Sequence, residues 1–133
     1  MKYMLDTNIC IYLMKKHPKE VVARFADCYY GDVVISSITL GELEYGVEVS
    51  AEKEKNAQAL KLLLEDIPVM PFEDKAAQSY GVLRAGAPKR KGDALDKLIA
   101  AHAKSLEVVL VTNNVKDFQK YPGITIENWV NNH

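Results

Sequence analysis

Short apolar runs that do not alternate with polar residues recur along this chain, and each leads into residues suited to begin a helix. Tyr3-Met4-Leu5 runs into Asp6-Thr7-Asn8, Val33-Val34-Ile35 into Ser36-Ser37, and Val108 to Val111 into Thr112-Asn113-Asn114. A strand apolar on consecutive residues has to be covered on both faces, as in a parallel sheet. Parallel neighbours need long crossovers, so helices between the runs belong to the same expectation. The pattern predicts helices from Ile9 to Lys16, Pro18 to Ala26, Thr39 to Val49, Ala51 to Glu65, Glu73 to Ala85, Asp93 to Leu106 and Val115 to Gln119. Val69-Met70, flanked by prolines that cannot donate to a ladder, reads as an edge strand, and Ile124 to Ile126 as the last strand. The expected core faces are Ala57, Leu60 and Leu64 on one long helix and Leu95, Leu98, Ile99 and Leu106 on the other. The expected class is α/β, three layers α/β/α, with a central, mostly parallel twisted sheet flanked by helices and one domain over residues 1–133.

With 133 residues, 48% hydrophobic and 26% charged, the chain can bury a core unaided and is not of disordered composition. Its apolar runs fall far short of the ~20 residues that cross a bilayer. Met1 to Asp6 turns acidic too soon for a signal peptide, so the expectation is a cytoplasmic protein with no membrane partner. Cys10 and Cys28 match no zinc spacing and read as small buried hydrophobes. The net charge of −1 lacks the basic excess of many nucleic-acid binders. Basic residues are nonetheless grouped at Lys15, Lys16, His17 and Lys19, and again at Lys89, Arg90 and Lys91.

Ligands of parallel sheets lie outside the carboxyl ends of the strands. Asp6 stands there after the first strand, Glu42 near the start of a helix after the second, and Asp96 at the start of the helix before the strongest strand. Thr112, Asn113 and Asn114 follow that strand, with Asp117 three residues on. Acids brought to one crevice repel each other unless a cation joins them, and hard divalent ions take such oxygens. Each residue also has a plainer use. Asp6 and Asp93 fit helix N-caps, Thr39-x-x-Glu42 fits a capping box, and Asp96 fits a charge opposing a helix dipole. Independent caps need not converge, whereas a metal site requires convergence.

Four segments occur in order: Tyr3-Met4-Leu5-Asp6-Thr7-Asn8, Ser37-Ile38-Thr39-Leu40-Gly41-Glu42-Leu43, Asp96-Lys97-Leu98-Ile99-Ala100-Ala101-His102-Ala103 and Val111-Thr112-Asn113-Asn114. Together they resemble the PIN domain, and specifically the VapC-type toxins of bacterial toxin–antitoxin pairs, over essentially the whole chain. The stretch from Phe118 to Trp129, with Pro122-Gly123 and Glu127-Asn128-Trp129, resembles an enteric branch of that group. The resemblance implies a Mg²⁺- or Mn²⁺-dependent endoribonuclease, a homodimer, cutting a structured RNA such as tRNA and inhibited by a cognate antitoxin protein. It carries Asp6, Glu42 and Asp96 over as the catalytic, metal-holding acids, Glu42 directly or through water. Many PIN domains have a fourth acid where this chain has Asn114, so either the amide contributes or Asp117 helps from one turn on.

Thr7, Asn8 and Thr112 are expected to orient the carboxylates or to cap turns. Lys89, Arg90 and Lys91, with Arg84, are expected either to grip RNA phosphates or to be solvated charges. His102, six residues after Asp96, is turned away from it and reads as a packed histidine. Tyr29, Tyr30 and Tyr45 read as core or interface aromatics, and Trp129 as the anchor of the last strand. Two other functions compete. One is a catalytically weak PIN-like domain that binds RNA or protein, favoured by Asn114. The other is a phosphatase with Asp6 as nucleophile, which usually wants a second carboxylate at position 8, here Asn8.

Overall fold

A computed structural model describes residues 1–131. Five strands, β1 (Tyr3–Leu5), β2 (Val33–Ser36), β3 (Val69–Met70), β4 (Val109–Val111) and β5 (Ile126–Glu127), form one sheet in the order β3-β2-β1-β4-β5. Every pairing is parallel, with Met4 opposite Val34 on one side and Leu110 on the other. Seven helices accompany them among the described residues: α1 (Thr7–Lys15), α2 (Lys19–Ala26), α3 (Ser37–Glu48), α4 (Lys53–Asp66), α5 (Asp74–Gly86), α6 (Ala94–Ser105) and α7 (Val115–Phe118).

The continuous apolar strands are explained by two cores, one on each face. Leu5, Val33, Ile35 and Val111 point to one side, where Ile9, Leu43, Leu60 and Leu63 of α1, α3 and α4 cover them. Met4, Val34 and Leu110 point to the other, beneath Leu83 of α5, Ile99 and Ala100 of α6, and Phe118. Successive strand residues alternate between the cores, so each strand is buried on both faces. Trp129 is buried against Tyr3, edge to face at 5.3 Å, with the Arg24 guanidinium over its ring.

Several local expectations are corrected. The long helix α4 packs Leu60 and Leu64 on the core as expected, adds Leu63, and leaves Ala57 exposed. In α6 the large Leu95 is exposed, while Ile99, Ala100, Ala101 and Ala103 are buried. This helix lies between the sheet and α5, and small side chains allow the close approach. The last strand starts two residues later than expected and ends one later, its pairing being Leu110 with Ile126 and Val111 with Glu127. Cys10 is fully buried, but Cys28 is only half-buried and donates Sγ–H to the Arg24 carbonyl. Tyr29, Tyr30 and Tyr45 are exposed, which removes the core half of their expectation and leaves the interface half. Among the described residues no helix is long and apolar enough to cross a membrane.

Candidate active site

The strand order runs 3-2-1 to one side and 4-5 to the other, so it reverses between β1 and β4. The crevice above such a reversal is where open α/β sheets hold ligands, because crossovers leave it in opposite directions. Asp6 is the first residue after β1 and Thr112 the first after β4. The Asp6 backbone N–H donates to the Val111 carbonyl at 3.0 Å, continuing the ladder to this point.

Asp6 is buried and occupied on both oxygens. Oδ1 accepts the Ile9 backbone N–H at 2.9 Å as the N-cap of α1, and Oδ2 accepts the Thr112 hydroxyl at 2.5 Å. Capping therefore uses one oxygen and leaves the carboxylate fixed in the crevice. Burial pushes its pKa up; the Thr112 hydroxyl and the Ile9 N–H counter that, and the charge on Glu42 adds to it. Asn8 is exposed in the first turn of α1, and it is its backbone N–H that faces the Asp6 carboxylate.

Glu42 reaches the crevice from α3, and here the capping-box reading of Thr39 and Glu42 is overturned. Ser36, not Thr39, caps the helix, its Oγ accepting the Ile38 N–H at 3.0 Å. The helix starts directly at the end of β2, which puts Thr39 inside it, buried, with a hydroxyl that has no hydrogen-bond partner. Glu42 instead accepts the Thr7 hydroxyl on Oε1 at 2.8 Å, a contact 35 residues apart in sequence. His102 is buried, with Nδ1 2.8 Å from Ser36 Oγ, and packs edge to face on Phe72. Burial holds its pKa below the ordinary histidine value.

Asp96, half-buried in the first turn of α6, has its pKa pushed up to about 6. Burial is the largest cause, followed by the charges of Asp6, Glu42, Asp117 and Asp93. Asp6 after β1, Glu42 of α3, Asp96 of α6 and Asp117 of α7 thus share one electrostatic neighbourhood. Asp93 occupies the N-cap position of α6, but its side chain makes no capping bond, correcting that reading. It is held by Lys97 Nζ at 3.1 Å and the Tyr121 hydroxyl at 3.0 Å, with Arg90 Nε at 3.7 Å, and these partners lower its pKa against the burial that would raise it. Sequence reasoning missed Lys97 and Tyr121; only the i,i+4 spacing of Asp93 and Lys97 signalled either of them.

Beyond β4, the Asn114 backbone N–H donates to Thr112 Oγ1 at 2.9 Å, and its side-chain amide donates to Asp117 Oδ2 at 2.9 Å. Asp117 also accepts Arg90 Nη1 at 2.8 Å, which holds its pKa low. Of the basic residues, Lys89 and Lys91 are exposed, whereas Arg90 is turned inward to this pair. Arg84 is exposed and donates to the Tyr80 hydroxyl at 3.2 Å.

Among the described residues no three His, Cys, Asp or Glu side chains form a closed chelating set. Mg²⁺ rarely uses one: it keeps several waters and binds through one or two carboxylates plus substrate oxygens. An all-oxygen donor set of mutually repelling acids beside a strand-order reversal fits such an ion.

The family described as PIN domain matches residues 3–124. Ribonuclease VapC2 of Rickettsia felis is 40% identical over 97% of this chain and 98% of its own length. The tRNA(fMet)-specific endonuclease VapC of Salmonella typhimurium is also 40% identical, over the same shares. The crystal structure of DNA-bound VapBC from Salmonella typhimurium superposes with a TM-score of 0.88 at 38% identity, covering 98% of this chain and 99% of that one.

Proposed function

Because the chain belongs to the PIN-domain family, we propose that it is a metal-dependent endoribonuclease acting as the toxin of a toxin–antitoxin pair. The observation that carries this reading is the shared neighbourhood of Asp6, Glu42 and Asp96, three acids from separate segments at the carboxyl ends of the strands. In this reading Asp6 and Asp96 hold Mg²⁺ or Mn²⁺, Glu42 does so directly or through water, and Asn114 supplies a neutral oxygen. When bound, the cation polarises the phosphodiester and makes a water nucleophilic near neutral pH. The chain's own groups supply rigidity: Thr112 and the α1 N-terminus fix Asp6, and Thr7 fixes Glu42. Water adds to phosphorus as the opposite P–O bond breaks. The substrate is a structured RNA, a choice supported by the tRNA specificity in the Salmonella relative's name.

The cognate antitoxin is the protein partner in this reading. A groove of about 490 Å³ between α1, α3 and α4, lined by Ile11, Met14, Leu43, Gly46 and Val47, has Glu42 on its wall. An apolar antitoxin segment seated there covers the acid site. The same reading takes the protein to be a cytoplasmic homodimer.

The test is cleavage of total cellular RNA with Mg²⁺ or Mn²⁺. A chelator abolishes scission, and Asp6→Asn or Asp96→Asn lowers it by more than ~100-fold while cooperative unfolding persists. Full cleavage by both variants refutes the assignment. A second reading, an RNA- or protein-binding domain that does not cut, is favoured by the amide at position 114; metal-independent binding without scission selects it.

A further inference from the structure

The loop between α5 and α6 carries three consecutive basic residues, and the middle one behaves unlike its neighbours. Lys89 and Lys91 are exposed, but Arg90 bridges two carboxylates, with Nη1 2.8 Å from Asp117 Oδ1 and Nε 3.7 Å from Asp93 Oδ2. Asn114 joins Asp117 to Asp6 through its own covalent frame: its side-chain amide donates to Asp117, its backbone N–H donates to Thr112 Oγ1, and the Thr112 hydroxyl donates to Asp6 Oδ2. From Asp93, the chain enters α6 and reaches Asp96 one turn later. We propose that Arg90 is a positioning residue for the acidic site, fixing the Asn114 amide through Asp117 and fastening the α6 entrance to α7. The inference rests on the nuclease reading above.

Two physical points support it. An amide can present either its oxygen or its nitrogen, and Asn114 has its nitrogen committed to Asp117, which leaves the oxygen as the free acceptor. Asp117 is itself held in place by the Arg90 guanidinium, so the amide's acceptor is fixed through that contact. A planar guanidinium reaches two carboxylates at once, which a lysine ammonium on its flexible stem does poorly. Arg90 also sets a positive charge between Asp93 and Asp117. Because Arg90 and Asp117 are partly solvated, their pairing adds little to global stability, so the consequence belongs in the site.

The experiment measures Mn²⁺ binding by electron paramagnetic resonance without RNA, and RNA cleavage alongside. It uses wild type, Arg90→Gln, Arg90→Lys, Asn114→Ala, the Arg90→Gln/Asn114→Ala double variant and Asp6→Asn. Arg90→Gln is expected to weaken Mn²⁺ binding and cleavage by ~10-fold or more with a Tm shift of at most ~4 °C, and Arg90→Lys to recover part of that. The double variant is expected to be no worse than Asn114→Ala, since both changes break one relay. Wild-type Mn²⁺ binding by Arg90→Gln, or losses that multiply in the double variant, overturns the proposal. Weakened RNA affinity with Mn²⁺ binding unchanged makes Arg90 a phosphate contact and overturns it equally. If wild type and Asp6→Asn alike fail to bind Mn²⁺ and to cleave, the nuclease reading itself falls, and this inference with it.

Discussion

Asp96 carries the largest consequence of crowding acids into one crevice. Its carboxyl is raised to about 6 first by burial and then by Asp6, Glu42, Asp117 and Asp93, from an ordinary 3.8. The folded chain therefore holds this proton more tightly than the unfolded chain. The stabilisation is fully present below the unfolded value and is lost as pH rises through about 6. The metal-free protein should thus lose stability through this group on going from acid to neutral pH. Asp96→Asn, which cannot ionise, should raise Tm relative to wild type more at about pH 7.5 than at about pH 5, read by thermal unfolding at both. Equal effects at both pH values would mean that Asp96 is not raised in the folded chain. The positions of Asp6 just after β1 and of Asp96 in the first turn of α6 were legible in sequence, because a strand end and a helix start are local signals. Arg90 was not: a run of three basic residues looks like a solvated loop, and its partner Asp117 lies 27 residues on.

At the scale of elements, the strands were legible and the helix faces were less so. A strand covered on both sides needs apolar residues at every position, so Val33 to Ile35 announces itself whatever packs on it. Which side of a helix turns inward depends on neighbours far away in sequence, as α6 shows by burying alanines and exposing Leu95. The start of α3 was misread for a related reason: Ser36 both ends β2 and caps the helix, so no linker marks the boundary. That serine also meets His102 Nδ1, tying the helix that carries Glu42 to the one that carries Asp96. Ser36→Ala removes the cap and leaves a buried imidazole nitrogen without its partner. The expected loss is about 1–3 kcal/mol, measured by urea denaturation. A loss below about 0.5 kcal/mol would show that neither bond contributes.

Across the whole molecule, the acid crevice and the groove between α1, α3 and α4 lie side by side, with Glu42 common to both. α3 forms one wall of each, so a partner seated in the groove is pressed against the site without any change of fold. Gly46 tests this arrangement because a Cβ built there meets nothing within 4 Å and the residue lines the groove. Gly46→Ala should stabilise the helix by about 0.5–1 kcal/mol, since glycine loses the most backbone entropy on folding. Gly46→Phe projects a ring into the groove instead. In a cleavage assay titrated with antitoxin, each variant scaled to its own uninhibited rate, Gly46→Phe should need ~10-fold more antitoxin for half-inhibition, the effect of losing about 1.4 kcal/mol of binding. Superimposable inhibition curves for wild type and Gly46→Phe would place the antitoxin on another surface. Inhibition would then have to reach Glu42 by a route other than the α1–α3–α4 groove.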